Sequence, residues 1–124
     1  MNQTLNNIIK FEKLNNIVNI INDYIDDERY IEAYYKAAAM LEFINANLVM
    51  KKFKIKLDDT NIIKFIEIYN KKDKELSKKM ISVNGEYNMI DTNEITNHDV
   101  EFLLLKIDDI LEYIVGKYGI DFLE

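Results

Sequence analysis

The chain reads as an all-α protein, an antiparallel bundle of four helices within a single domain spanning 1–124. Three observations predict it. Proline is absent and only Gly85, Gly116 and Gly119 are glycines, so little interrupts long helices. Apolar residues recur at spacings of three and four over most of the chain. Apolar residues make up 48% and charged residues 31%, a balance that supports one packed core in 124 residues.

The first helix is predicted from Thr4 to Ile25. Leu5, Ile8, Ile9, Leu14, Ile17, Val18, Ile21, Tyr24 and Ile25 form one stripe, with asparagines and lysines opposite. Asp26, Asp27 and Glu28 follow as an acidic junction, suited to the positive pole of the next helix.

The second helix is predicted from Glu28 to Met50. Its centre, YIEAYYKAAAMLEFI, is apolar nearly all round, with Glu32 and Lys36 placed as an i,i+4 pair. A helix apolar on several faces must touch several neighbours, which makes it the central helix or a subunit interface. Ala37, Ala38 and Ala39 permit close approach, and Tyr30, Tyr34 and Tyr35 are the candidate interface or inter-helix packing residues.

Lys51 to Leu57, KKFKIKL, alternates like a strand but has no second strand to pair with, so it reads as a helix end or a connector. Asp58 or Asp59 is the expected cap of a third helix over Thr60 to Ser82. The polar run NKKDKE is where that helix would divide, giving a five-helix variant of the bundle. Asn84-Gly85 reads as a turn.

The last helix has the clearest start. Thr96 is an N-cap with Asp99 three residues on, and Ile95 and Val100 are spaced as a hydrophobic staple. Leu103, Leu104, Ile107, Ile110, Leu111, Ile114 and Tyr118 carry its stripe, and Gly119 is placed to end it.

Charge and composition narrow the function. The net charge is −6, yet residues 51–79 hold ten lysines against five acids, a local +5 that leaves −11 elsewhere. That split argues against duplex DNA and for directional pairing with a protein. Lys51, Lys52, Lys54, Lys71 and Lys72 are the candidate anion- or partner-binding residues. Cysteine is absent, so disulfides and thiolate metal sites are excluded. A single histidine excludes the paired Glu-x-x-His of di-iron bundles and the two-histidine helix of zinc proteases. No metal or cofactor is expected. There is no phosphate-cradling glycine loop. No signal sequence and no apolar run of bilayer length are evident, so a cytoplasmic location is the expectation. His98, in the first turn of the last helix, is the one weak catalytic candidate, and the sole arginine, Arg29, is far from it in sequence.

The segment RYIEAYYKAAAMLEFINANLVMKKF resembles the central helix of HEPN domains (higher eukaryotes and prokaryotes nucleotide-binding). VNGEYNMIDTNEITNHDVEFLLLKIDDILEYI resembles that family's later half, with Glu86-Tyr87 in the place of an acidic-tyrosine pair and Thr96 to Tyr113 as the capped last helix. The resemblance covers about residues 30–115. It implies a four- or five-helix bundle that dimerises, acting as a ribonuclease or as a non-catalytic partner in nucleotidyltransferase or defence modules. Catalytic members carry Arg, four to six residues, then His. Here Asp91, Thr92 and Asn93 fill the arginine's slot before His98, so the resemblance is to a degenerate member. The expectation is a non-catalytic, homodimeric interaction module with a protein partner, with RNA or nucleotide disfavoured. The alternatives are a HEPN-like ribonuclease with an atypical site at His98, and an unrelated phage or regulatory adaptor bundle.

Overall fold

The computed structural model describes residues 5–124. Five α-helices make up the fold: α1 (Glu12–Asp26), α2 (Tyr30–Lys51), α3 (Ile62–Lys72), α4 (Lys74–Met89) and α5 (Asn97–Tyr118). Short 3-10 turns, Ile8–Lys10 and Asp121–Leu123, flank them. Among the described residues there is no strand, and no helix is long and apolar enough to cross a membrane.

Side-chain pairings fix the helix directions. Tyr34 meets Tyr87 and Asn45 meets Met80, so residue numbers rise along α2 as they fall along α4. Ser82 meets Lys106, and Asp73 meets Tyr113 and Tyr118, so α4 and α5 are also antiparallel. Lys52 pairs with Asp121 and Phe53 packs on Tyr118, which puts the C-terminal ends of α2 and α5 together. The core runs between them through Leu14 and Ile21, Ile44 and Leu48, Leu76 and Met80, and Leu103, Ile107 and Leu111, all buried.

The connector works as its alternation suggests. Phe53, Ile55 and Leu57 are half-buried against the core, whereas Lys54 and Lys56 face solvent. It is an irregular strap, turned at Lys54, that returns the chain along the bundle to where the Thr60 hydroxyl bonds Glu42.

The division of the third segment falls at Asp73, inside the polar run. Asp73 adopts an extended backbone that ends α3, and its carboxylate accepts the Leu76 N–H at 3.1 Å to start α4. Its side chain is 2% exposed, yet three further donors reach it: the Tyr118 hydroxyl at 2.5 Å, the Tyr113 hydroxyl shared between both oxygens at 2.8 and 3.1 Å, and the Lys117 ammonium at 3.1 Å. Burial alone would raise this carboxyl's pKa. The donations from Tyr118, Tyr113, the Leu76 N–H and Lys117 outweigh burial and hold it below the usual carboxylate range.

Four sequence expectations are corrected. The first helix does not run unbroken from Thr4, a residue outside those described. Phe11 is extended ahead of α1, because the buried Asp108 carboxylate takes the N–H groups of Asn7 (3.0 Å) and Ile8 (2.8 Å) and diverts the segment. The cap of α3 is Asn61, which accepts the Lys64 N–H at 3.0 Å; Asp59 supports it by accepting from Asn61. Asn84-Gly85 is no turn but lies inside α4, where buried Val83 and half-buried Tyr87 hold the helix on the core. Glu32 pairs with Arg29 at 2.5 Å rather than with Lys36. The start of α5 is as expected: Thr96 and Asp99 form a capping box, Ile95 and Val100 are buried, and Gly119 closes the helix at φ 84°.

The α1–α2 turn carries a local strain. Arg29 N–H donates to Tyr24 C=O at 2.8 Å and Glu28 N–H to Ile25 C=O at 2.9 Å, the paired bonds of a Schellman closure. The residue in the left-handed conformation is Glu28, at φ 60°, where glycine is ordinarily favoured. The carboxylates of Asp23, Asp26 and Glu28 also crowd the negative pole of α1. Glu28→Gly should therefore raise stability by about 1 kcal/mol, read as a thermal midpoint higher by roughly 4 °C.

Candidate functional site

Two surfaces on this frame gather exposed apolar groups into a groove or a row. The first is a groove between α4 and α5. Gly85, Glu86 and Met89 line one wall with Ser82, and His98, Asp99, Phe102 and Lys106 line the other, enclosing about 590 Å³. The spacings 82, 85, 86 and 89 and 98, 102 and 106 each follow one face of a helix, so the two antiparallel helices form a straight channel. Met89 is 88% exposed and Phe102 47% exposed.

The electrostatics of the groove centre on Glu86. Its side chain is 13% exposed, and burial raises its pKa against the opposing pull of Lys106, with Asp99 adding to the rise. Lys106 Nζ sits 3.7 Å from Glu86 Oε2, an ion pair too long for a hydrogen bond. That ammonium donates instead to Ser82 Oγ at 2.8 Å and lies over the Phe102 ring. Glu86 Oε2 is buried with no hydrogen-bond partner, as are the Asn97 Oδ1 and Tyr34 hydroxyl oxygens.

His98 is exposed in the first turn of α5. The one cation lining its groove is Lys106, eight residues along the same helix, about 12 Å in rise. Arg29 is committed elsewhere, to Glu32 and over the Tyr24 ring at 4.9 Å. Among the described residues no three His, Asp or Glu side chains converge to hold a metal ion.

The second surface is the outer face of α2. Ile31, Tyr35, Ala39 and Phe43 are all exposed at intervals of four, with Tyr35 at 54%. Ala33, Ala37, Leu41, Ile44 and Leu48 face the core on the other side. Of the three tyrosines singled out in the sequence, only Tyr35 is exposed. Tyr30 is half-buried, and Tyr34 is an inter-helix packing residue, buried edge-on against Tyr87 at 6.2 Å. Burial pushes the Tyr34 hydroxyl pKa up, with Glu86 and Tyr87 adding to the rise.

The lysines do not form one patch. Lys52 pairs with Asp121 at 2.6 Å and Lys51 donates to the Glu124 carbonyl at 3.0 Å, both fastening the C-terminal turn. Lys54 sits on the strap at φ 58°. Lys71 and Lys72 line a cleft of about 190 Å³ with Lys64, Glu67, Ile55 and Ile68.

The sequence singled out His98, and Glu86 only through the family resemblance, and missed Met89, Phe102 and Lys106. Reading Asn84-Gly85 as a turn cut α4 short and hid the stripe from Ser82 to Met89. Helical spacing carried through residue 89 would have revealed it. No family model, no curated protein and no solved structure matches the chain.

Proposed function

We propose that this chain is a non-catalytic helical interaction module that forms a two-fold homodimer through α2, after the manner of a degenerate HEPN domain. The observation that carries the reading is the exposed row Ile31, Tyr35, Ala39 and Phe43, which spans about 18 Å of helix. Contiguous apolar rows of that kind mark association surfaces. An exposed row on one helix can be self-complementary about a two-fold axis, with residue i meeting j of the partner while j meets i. The all-helical fold is compatible with the HEPN resemblance.

The ribonuclease reading draws on His98 and Lys106 sharing a groove. A phosphate there would meet Glu86 and Asp99, and Lys106 is already held by Ser82 and Glu86. Proton transfer by His98 would proceed without a free cation on the phosphate. The expected result is that purified protein leaves both single-stranded and structured RNA intact, at the level of a His98→Ala control. Cleavage by the parent that disappears in His98→Ala would establish the enzyme reading instead.

A further inference from the structure

We propose that the α4–α5 groove is the docking site for a cationic amphipathic helix of a partner protein. The proposal stands on a surface separate from α2, and its test is independent of the dimer.

Shape comes first. Two antiparallel helices flank the channel, and Gly85 leaves the α4 wall open, since a Cβ added there would meet nothing within 4 Å. Met89, with its flexible thioether, and the edge-exposed Phe102 ring provide adaptable apolar contact on opposite walls. A helix laid in such a channel buries its apolar face through anchors three and four residues apart.

Charge selects the kind of helix. Residues 80–106, which include both helix segments that line the groove and the loop between them, carry five acids against one lysine and no arginine. Of the side chains lining the groove, Glu86 and Asp99 are acidic and Lys106 is the one lysine, already paired with Glu86. Phosphate groups and anionic lipid are disfavoured here, whereas a cationic helix is attracted by the net negative charge of the segment. Glu86 adds a negative charge to this wall, 3.7 Å from the Lys106 ammonium, with Oε2 itself buried and out of reach of a ligand. The Asp99 carboxylate is occupied by the Thr96 N–H at 2.9 Å and hydroxyl at 3.1 Å.

The test is a titration of isotope-labelled full-length chain with a synthetic amphipathic peptide of leucine and lysine, followed by backbone amide shifts. A leucine–glutamate peptide of the same pattern serves as control. The expected result is shifts confined to residues 82–90 and 98–106 with the lysine peptide and none with the glutamate peptide. At Gly85 an added Cβ meets nothing within 4 Å and leucine favours helix, so Gly85→Leu should fold, project into the groove and weaken binding about tenfold or more. Glu86→Gln keeps the shape and removes one negative charge from the wall, so it should weaken binding several-fold, with a smaller loss at high salt. Shifts centred on α2, equal binding of both peptides, or binding unchanged in Gly85→Leu would each overturn the proposal.

Discussion

Replacing Asp73 by alanine is expected to destabilise the fold by about 3–5 kcal/mol, the largest effect of any single polar substitution considered. This one carboxylate performs two tasks. It caps α4 through the Leu76 N–H, a bond whose loss alone costs about 1 kcal/mol. It also receives the Tyr113 and Tyr118 hydroxyls and so ties the far end of α5 to the α3–α4 junction. Alanine would leave both hydroxyls without their acceptor. For a chain of this length the thermal midpoint should fall by roughly 10–20 °C. Asp73→Asn keeps an acceptor for the cap and should cost less. The pH dependence follows from a depressed folded-state pKa. Asp73 contributes its full stability above the unfolded carboxylate range and loses it as pH falls through the folded value. The difference between parent and Asp73→Asn, measured by thermal melts across pH, should thus be largest near neutrality and narrow under acid. A constant difference at all pH values would show that the charge is not what Asp73 contributes.

Introducing charge on the α2 row should abolish self-association while leaving the fold intact. Tyr35 is 54% and Phe43 37% exposed, so Tyr35→Glu should change monomer stability by about 0.5 kcal/mol and Phe43→Glu by about 1 kcal/mol, small against the stability of the fold. The two-fold axis doubles each substitution, so four carboxylates enter one interface and apolar contact is replaced by desolvation cost and repulsion. The dimer affinity should drop by more than about a hundredfold. Circular dichroism of the variant should match the parent, and its hydrodynamic size should be that of a monomer.

Much of the fold was legible in the sequence because its determinants are local. The stripes of α2 and α5, the capping box at Thr96, the closing Gly119 and the break in NKKDKE all follow from neighbours within a few residues. What was illegible depends on partners distant in sequence. Nothing around Ile8 and Ile9 announces that Asp108, a hundred residues on, will take their segment's N–H groups and break the helical pattern at Phe11. The dipeptide Asn84-Gly85 has turn chemistry, but burial of Met80 and Val83 and the packing of Tyr87 override it, against a glycine penalty of about 1 kcal/mol. That override conceals the groove, since half of its lining lies beyond the misread turn. Likewise, the sequence marks three tyrosines as equivalent, and only packing decides that Tyr34 turns inward while Tyr35 faces out.

The measurement that bears most directly on the proposed function is sedimentation equilibrium of the parent chain beside Tyr35→Glu with Phe43→Glu, across micromolar concentrations and at low and high salt. An apolar α2 interface predicts a dimeric parent whose association persists at high salt, and a monomeric variant. A parent that is monomeric throughout, or a variant that dimerises as tightly as the parent, would contradict it.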